Sequence, residues 1–361
     1  MSFKGARGIV AVSQNAGCEL IAAMVVEQIE DLEFYTRVAG PFPGEYGERA
    51  STLRRGKQFE RYLYERKDDR PAFALCETLG PAFGYQPQAM RVLDLREIEG
   101  SGVLETADLR LRRTRQELQS LRRGEPVAHV ILQPQLSLSV GSGDTRFIVP
   151  DALVLVTGSW AGAGPTGPQM YIPLEIKSSI VRRNIAENSS KDRARRQAAV
   201  EVLALAEEAR RCGLFERVRN RAAFIYATPQ GLTPTRPFIE DLYAETAEVL
   251  RALAALREAR GRLSQLRRES PGPLESLTGQ LRTTYLDRCK SICALAILCK
   301  QEVASRASVL GDAPRAVLGA DTELSRLIEL IQGARPESAF EAQLAPQLQE
   351  AAASLGYLPA A

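Results

Sequence analysis

Three apolar runs between residues 129 and 180 predict neighbouring strands at the centre of the fold. They read HVILQPQLSLSV, FIVPDALVLV and MYIPLEIKSSI, and turn residues bound them. Runs of this length that are rich in Val and Ile are typical of buried strands. A Gly/Pro-rich stretch, residues 158–167, joins the last two runs, and a later run, AAFIYATP, predicts a further strand.

Helical patterns surround these runs. Apolar residues at helical spacing predict one helix from Cys18 to about Phe34 and a long helix from about Ile239 to Glu269. Another helix is expected from about Asp192 to Cys212, and a charged helical insertion at about 104–124. The order strand, strand, strand, helix, strand predicts an α/β fold with a mixed central sheet flanked by helices. We expect three regions: a helical region at 1–100, the core at 101–238 and a second helical region at 239–361.

The composition indicates a globular protein of the reduced cytosol. The 361 residues are 45% apolar, which is ample for a core, and the net charge of +3 does not by itself indicate nucleic acid. The sequence has no cleavable signal and no apolar run near 18 residues, so we expect a cytoplasmic protein with no membrane partner. Disulfides are then not expected among the six cysteines. The single histidine, His129, excludes a His-rich zinc hydrolase and argues against a Ser-His-Asp triad.

Three charged residues interrupt the second and third runs. Asp151 lies in one run, and Glu175 and Lys177 lie in the next. Because side chains alternate along a strand, Glu175 and Lys177 are expected on one face, roughly 6–7 Å apart along the strand. A carboxylate in a buried strand needs a cation or a hydrogen-bonding network to offset its desolvation. The pattern therefore predicts a divalent metal site, and the alternative is a salt bridge between strand-end charges.

Pro150-Asp151 and Glu175-Ile176-Lys177 resemble the motif of the PD-(D/E)xK nuclease superfamily. The resemblance implies a restriction-endonuclease-like core and a DNA nuclease. Asp151, Glu175 and the backbone carbonyl of Ile176 would hold Mg²⁺ or Mn²⁺. Lys177 would act on the attacking water and the transition state.

Further positions are similar to the RecB-like and Cas4-like branch, which includes the AddB and Dna2 nuclease domains. Arg55-Gly56 precedes Glu60 where that branch has a metal-binding histidine, so the resemblance implies Glu60 as a further ligand; the alternative is a solvated surface residue. Gln197 falls where the branch has a Gln-x-x-x-Tyr helix that faces the site, so Gln197 is expected there. Glu201 replaces the tyrosine, so only the glutamine is carried over.

The cysteines match a second feature of that branch. Several of its members hold a [4Fe-4S] cluster with one N-terminal and three C-terminal cysteines, which implies Cys18, Cys289, Cys293 and Cys299 here. The first C-terminal pair has three intervening residues, whereas the common spacing has two. Zinc is the alternative metal, and buried core cysteines are the alternative without metal. The two remaining cysteines are expected to be structural.

Basic residues follow the third run and predict contacts with phosphates, the alternative being a solvated helix start. The expected partner is DNA with single-stranded regions, and helicase or CRISPR, defence or repair subunits could join it. A nuclease-fold subunit that binds DNA or assembles a complex without cutting is the alternative function. The basic residues are Arg182, Arg183, Lys191, Arg193, Arg195 and Arg196.

Overall fold

The computed structural model confirms an α/β protein with a mixed, helix-flanked central sheet and additional helical regions. A six-stranded sheet has the order β1-β2-β5-β6-β7-β8, and β3 and β4 form a separate antiparallel pair. In the larger sheet β1 runs parallel to β2 and β6 parallel to β7, and the other neighbours are antiparallel. The structure describes residues 5–43, 50–97, 103–141, 143–157, 168–180, 188–214, 218–228, 231–302, 305–307, 316–319 and 322–355.

The strands are short except for β6, which continues past the start of its neighbour β5. Their bounds are β1 Val92–Asp94, β2 Val130–Leu132, β3 Leu136–Gly141, β4 Asp144–Ile148, β5 Ala152–Val156, β6 Met170–Ile180, β7 Arg221–Ala227 and β8 Phe238–Asp241.

Helices cover both faces of the sheet and continue beyond it towards the C-terminus. Their bounds are α1 Gly5–Gln14, α2 Glu19–Glu27, α3 Asp31–Ala39, α4 Ala50–Tyr64, α5 Phe73–Phe83, α6 Val103–Arg123, α7 Asn188–Arg211, α8 Tyr243–Glu269, α9 Leu274–Leu277, α10 Ala296–Glu302, α11 Leu324–Ile331 and α12 Ala339–Ser354. Among the described residues, no helix is both long and apolar enough to cross a membrane.

Alternation along the strands divides the core into two layers. In β5, Leu153 and Leu155 pack with helices α1, α2, α7 and α8, whereas Val154 packs with α4 and α5 on the opposite face. The strand β6 follows the same rule, because Tyr171 belongs to the first layer and Ile172 to the second. The positions four and six residues after Tyr171 therefore face α7.

Four predicted elements are divided in the structure. Residues 129–140, predicted as one strand, are shared between β2 and β3, which lie in different sheets, and the helix predicted from about Ile239 begins only at Tyr243, after β8. Residues 147–156, predicted as one strand, belong partly to β4 and partly to β5, which lie in different sheets. The chain leaves the ladder at Pro150, which has no amide hydrogen to donate to a neighbouring strand. The helix predicted from Cys18 to Phe34 is interrupted at Gln28, whose φ of 59° is left-handed and ends α2.

Hydrogen bonds join the start of helix α2 to a segment that lies between α9 and α10. The Asn15 side-chain amide donates to the Thr284 carbonyl over 2.7 Å. The Glu19 backbone amide donates to the Arg282 carbonyl over 2.9 Å. This N–C seam holds the segment that begins α2 against the segment that carries the three C-terminal cysteines.

Candidate active site

Asp151 lies immediately before β5, beside the part of β6 that extends past it. The register pairs Ala152 with Leu174, which places Asp151 next to Glu175. Asp151 Oδ2 accepts a hydrogen bond of 2.8 Å from the Ile176 amide. The two halves of the predicted motif therefore meet.

Glu175 and Lys177 lie on the face of β6 that α7 covers. Lys177 Nζ donates to Glu175 Oε1 over 3.0 Å and lies 2.8 Å from Oε2. The Glu175 side chain is fully buried, whereas 27% of the Lys177 side chain is exposed. This is the ion pair that the alternative interpretation predicts, and it is part of a larger acidic cluster.

Helix α7 contributes two side chains to this cluster. Gln197 Oε1 accepts from Lys177 Nζ over 3.3 Å, as expected of a glutamine that faces the site. Gln197 Nε2 donates to Glu201 Oε1 over 3.3 Å. Glu201 is fully buried, and sequence reasoning missed it. A signal was present, because a glutamate inside the apolar run AAVEVLALA, one turn after Gln197, must face the protein interior.

Helix α4 approaches the same place from the other face of the sheet. The Tyr64 hydroxyl donates to the Asp151 carbonyl over 3.3 Å. The Glu60 side chain is exposed at the surface. Partial loss of hydration, and after it the charge of Asp151, raises the pKa of Glu60. Arg55 Nε donates to the Ser178 carbonyl over 3.1 Å, which fixes α4 against the end of β6. Glu60 is thus near the carboxylates, and its role as a ligand stays a prediction.

Burial, and after it the excess of negative charge, sets the pKa values in this cluster. Burial raises the pKa of Asp151, and burial together with Asp151 raises the pKa of Glu175 to about 8 against the opposing effect of Lys177. Burial, then the charges of Glu175 and Asp151, raise the pKa of Glu201 well above its ordinary value. Burial lowers the pKa of Lys177, but the neighbouring carboxylates outweigh it, so the net shift is upward. The charge of Arg7 in α1 partly offsets the excess at Asp151 and Glu175.

The oxygen donors of this cluster fit a hard divalent cation. Glu175 Oε2 is buried and has no polar partner in the described part of the chain other than the Lys177 ammonium at 2.8 Å, and carboxylate oxygens are the ligands that Mg²⁺ and Mn²⁺ prefer. The described residues contain no three His, Cys, Asp or Glu side chains already placed around one metal position. A cation and the Lys177 ammonium would therefore compete for Glu175.

The four predicted cluster cysteines lie in the region of the N–C seam, and no three of them surround one metal position in the described part of the chain. Cys18, Cys289 and Cys293 are buried and Cys299 is half-buried. Burial raises the pKa of each of the three C-terminal thiols, and the charge of Cys18 raises it further, so all three lie within electrostatic range of Cys18. Cys289 Sγ accepts hydrogen bonds from the Asn15 side-chain amide over 3.3 Å and from the Leu286 amide over 3.4 Å. Hydrogen bonds to sulfur tune iron–sulfur clusters, and the cluster itself stays a prediction.

The other two cysteines lie elsewhere. Cys76 is buried inside α5, and Cys212 is buried at the end of α7. Burial raises the pKa of both thiols, to about 11 for Cys76. They have the features of structural residues.

Part of the predicted basic cluster forms contacts inside the protein. Arg182 and Arg183 lie outside the described residues. Arg193 donates to the Ser291 carbonyl over 3.1 Å. The others pair with carboxylates of β8 and α8: Lys191 with Glu240 at 2.8 Å, Arg195 with Glu240 and, at 2.6 Å, with Glu245, and Arg196 with Glu248 at 2.7 Å. Their availability to phosphates is reduced by these ion pairs.

A cleft of about 790 Å³ lies between α4, α5 and residues 233–236. Its lining includes Tyr62 and Phe73, but it does not include the carboxylate cluster. The chemistry of the side chains, and not cavity size, therefore places the candidate site at Asp151 and Glu175.

Comparison of the chain with protein-family models, curated proteins and solved structures gives no match. Its function must therefore be inferred from its own residues and their geometry.

Proposed function

We propose that this protein is a Mg²⁺- or Mn²⁺-dependent deoxyribonuclease that hydrolyses phosphodiester bonds, with a core of the PD-(D/E)xK type and similarity to the RecB-like and Cas4-like branch. One observation carries the proposal. Asp151, which immediately precedes β5, and Glu175 and Lys177 of β6 meet with Gln197 in one acidic cluster. Carboxylates with raised pKa values beside a lysine are typical of functional sites rather than of ordinary cores.

Asp151 and Glu175 would be the ligands of the cation, with the Ile176 carbonyl and Glu60 as further donors. Bound there, a divalent cation would lower the pKa of its water and offset the charge of the phosphorane. Glu175 must lose its proton for this, which its raised pKa delays towards pH 8.

Lys177 would act at the scissile phosphate. Its side chain is 27% exposed although its ammonium contacts the fully buried Glu175. An ammonium held in that position stabilises charge that develops in the transition state. The bond to Gln197 limits the directions in which the ammonium can point.

DNA with single-stranded regions is the proposed substrate. Phosphate contacts would come from Arg182, Arg183 and those members of the basic cluster that exchange an internal carboxylate for a phosphate. We further propose that Cys18, Cys289, Cys293 and Cys299 hold a [4Fe-4S] cluster, with zinc as the alternative. The biological role would be DNA processing, repair or antiviral defence, with a helicase or other complex subunits as partners.

The test is cleavage of labelled single- and double-stranded DNA by anaerobically purified protein, with Mg²⁺, Mn²⁺ or EDTA. Asp151→Asn and Lys177→Met should abolish metal-dependent cleavage and leave the thermal unfolding transition cooperative. Glu207→Gln, which removes a carboxylate from the same helix as Gln197, is the control and should cleave normally. Retained cleavage by both site variants would contradict the proposal.

A second function is favoured by the ion pairs of the site. Lys177 is paired with Glu175, and Arg195 and Arg196 are paired with carboxylates of β8 and α8. A nuclease-fold subunit that binds DNA or assembles a complex without cutting would have such a closed site. Binding of the labelled DNA without cleavage under any metal condition would identify this function.

A further inference from the structure

Glu201 takes no part in the proposed chemistry, yet it is a fully buried carboxylate in the layer that covers the site. One oxygen accepts from Gln197 Nε2 over 3.3 Å, and the other has no hydrogen-bond partner within the described part of the chain. A buried carboxylate with one unsatisfied oxygen is costly to stability. A destabilising residue beside the site is a candidate for a functional role.

The chemistry of the three side chains determines how Gln197 is oriented. An ammonium can only donate hydrogen bonds and the Glu201 oxygen Oε1 accepts one, whereas an amide does both from opposite ends. Gln197 lies between Lys177 and Glu201. Its carbonyl must therefore face Lys177 and its NH₂ must face Glu201. With Glu201 removed, the NH₂ of Gln197 loses its acceptor, and only the contact with Lys177 then holds the amide in this orientation.

We propose that Glu201 is a positioning residue that fixes the orientation of the Gln197 amide and thereby holds the Lys177 ammonium for the reaction. This inference rests on the proposed function, in which Lys177 contacts the phosphate. Glu201 does not touch the substrate. It acts through Gln197, and the two form one unit with Lys177.

The test is a double-mutant cycle. Glu201→Leu and Gln197→Leu should each lower kcat about fivefold, which is the effect of one lost hydrogen bond, and leave KM unchanged. Because both act on Lys177 through one contact chain, the double variant should lose no more than either single variant. Glu201→Leu should also be at least as stable as the wild type, because the unsatisfied oxygen is removed. Glu207→Leu, on the same helix, is the control and should leave kcat unchanged.

Full kcat in Glu201→Leu would overturn the proposal. Losses that multiply in the double variant would also overturn it, because Glu201 would then act independently of Gln197.

A second measurement does not require any nuclease activity. Acetic anhydride acetylates the neutral amine of a lysine, and mass spectrometry can follow Lys177 at one fixed pH without metal. Loss of the oriented carbonyl should make Lys177 react a few times faster in Glu201→Leu and in Gln197→Leu, but not in Glu207→Leu. An unchanged rate would overturn the positioning role. If the wild type cuts no DNA but the rates change as expected, the proposed function fails and the positioning role stands.

Discussion

Substitution of Glu175 by glutamine should make the metal-free protein more stable and inactive. Glutamine keeps the size of the side chain and an oxygen that can accept from Lys177, but it has no proton equilibrium. Glu175 is fully buried, and burial together with Asp151 raises its pKa from the ordinary 4.5 to about 8. At pH 7 the folded protein therefore protonates a larger fraction of Glu175 than the unfolded chain does, in competition with the ion pair to Lys177.

The magnitude follows from the displacement of the pKa. Between the ordinary pKa of 4.5 and the folded-state pKa, each pH unit lowers the free energy of unfolding by about 1.4 kcal/mol. The gain from Glu175→Gln in the free energy of unfolding is therefore up to about 3 kcal/mol at pH 7, and under about 1 kcal/mol at pH 5. The sign is that of a carboxyl whose pKa is raised by folding: its contribution to stability is fully present below pH 4.5 and is lost as the pH rises towards 8.

The measurement is urea unfolding of wild type and Glu175→Gln between pH 5 and pH 8 in EDTA. The control is Glu125→Gln, because the hydrogen bond from Arg123 lowers the pKa of the exposed Glu125 to about 2; this carboxyl is ionised in both states above pH 5 and should give no pH dependence in this range. Mn²⁺ should stabilise the wild type more than Glu175→Gln, since metal binding replaces the proton. A stability difference that is equal at pH 5 and pH 8 would mean that Glu175 is ionised in the fold and would refute the reasoning.

Three further outcomes are expected. Glu60→Gln should shift the Mg²⁺ or Mn²⁺ concentration that gives half-maximal cleavage several-fold; an unchanged metal titration would make Glu60 a surface residue. Cys299→Ser should lose the brown absorption and lower the melting temperature, whereas Cys76→Ser should keep both; a colourless wild type without iron or zinc would contradict the cluster. Arg183→Ala should reduce the salt dependence of DNA affinity by about one unit of slope, whereas Arg195→Ala should change the slope little, because Arg195 is paired with Glu240 and Glu245; the reverse ranking would show that the ion pairs open on binding.

The strand pattern was sufficient to predict the principal contact of the site. Glu175 and Lys177 were placed on one strand face from their spacing alone, and Asp151 was placed on the neighbouring strand. Side-chain alternation is a local property that the sequence carries directly. The sheet order and the division of Phe147 from Ala152 were not predicted, because they depend on which strands pair over long distances.

The missed residues share a physical reason. Tyr64 lies 87 residues before Asp151 in the sequence, and Glu201 lies on the helix that follows β6, so the packing of these helices brings both residues to the site. The partners of Arg195 and Arg196 were missed in the same way, because a run of basic residues does not reveal the carboxylates that face it. The motifs therefore predicted which residues share a strand face, and the structure added the contacts that helices make with that face.

The N–C seam and the helix packing behind it have a consequence for synthesis on the ribosome. Helices α1 and α2 pack against α8, and α2 buries most of its apolar side chains, including Leu20, Ile21 and Met24. Helix α2 ends at Glu27 and α8 ends at Glu269, a separation of 242 residues. At typical rates of translation this interval lasts roughly 12 to 50 s. The nascent N-terminal helices must wait that long for their partner, so we expect a chaperone to shield them until the second half of the chain emerges.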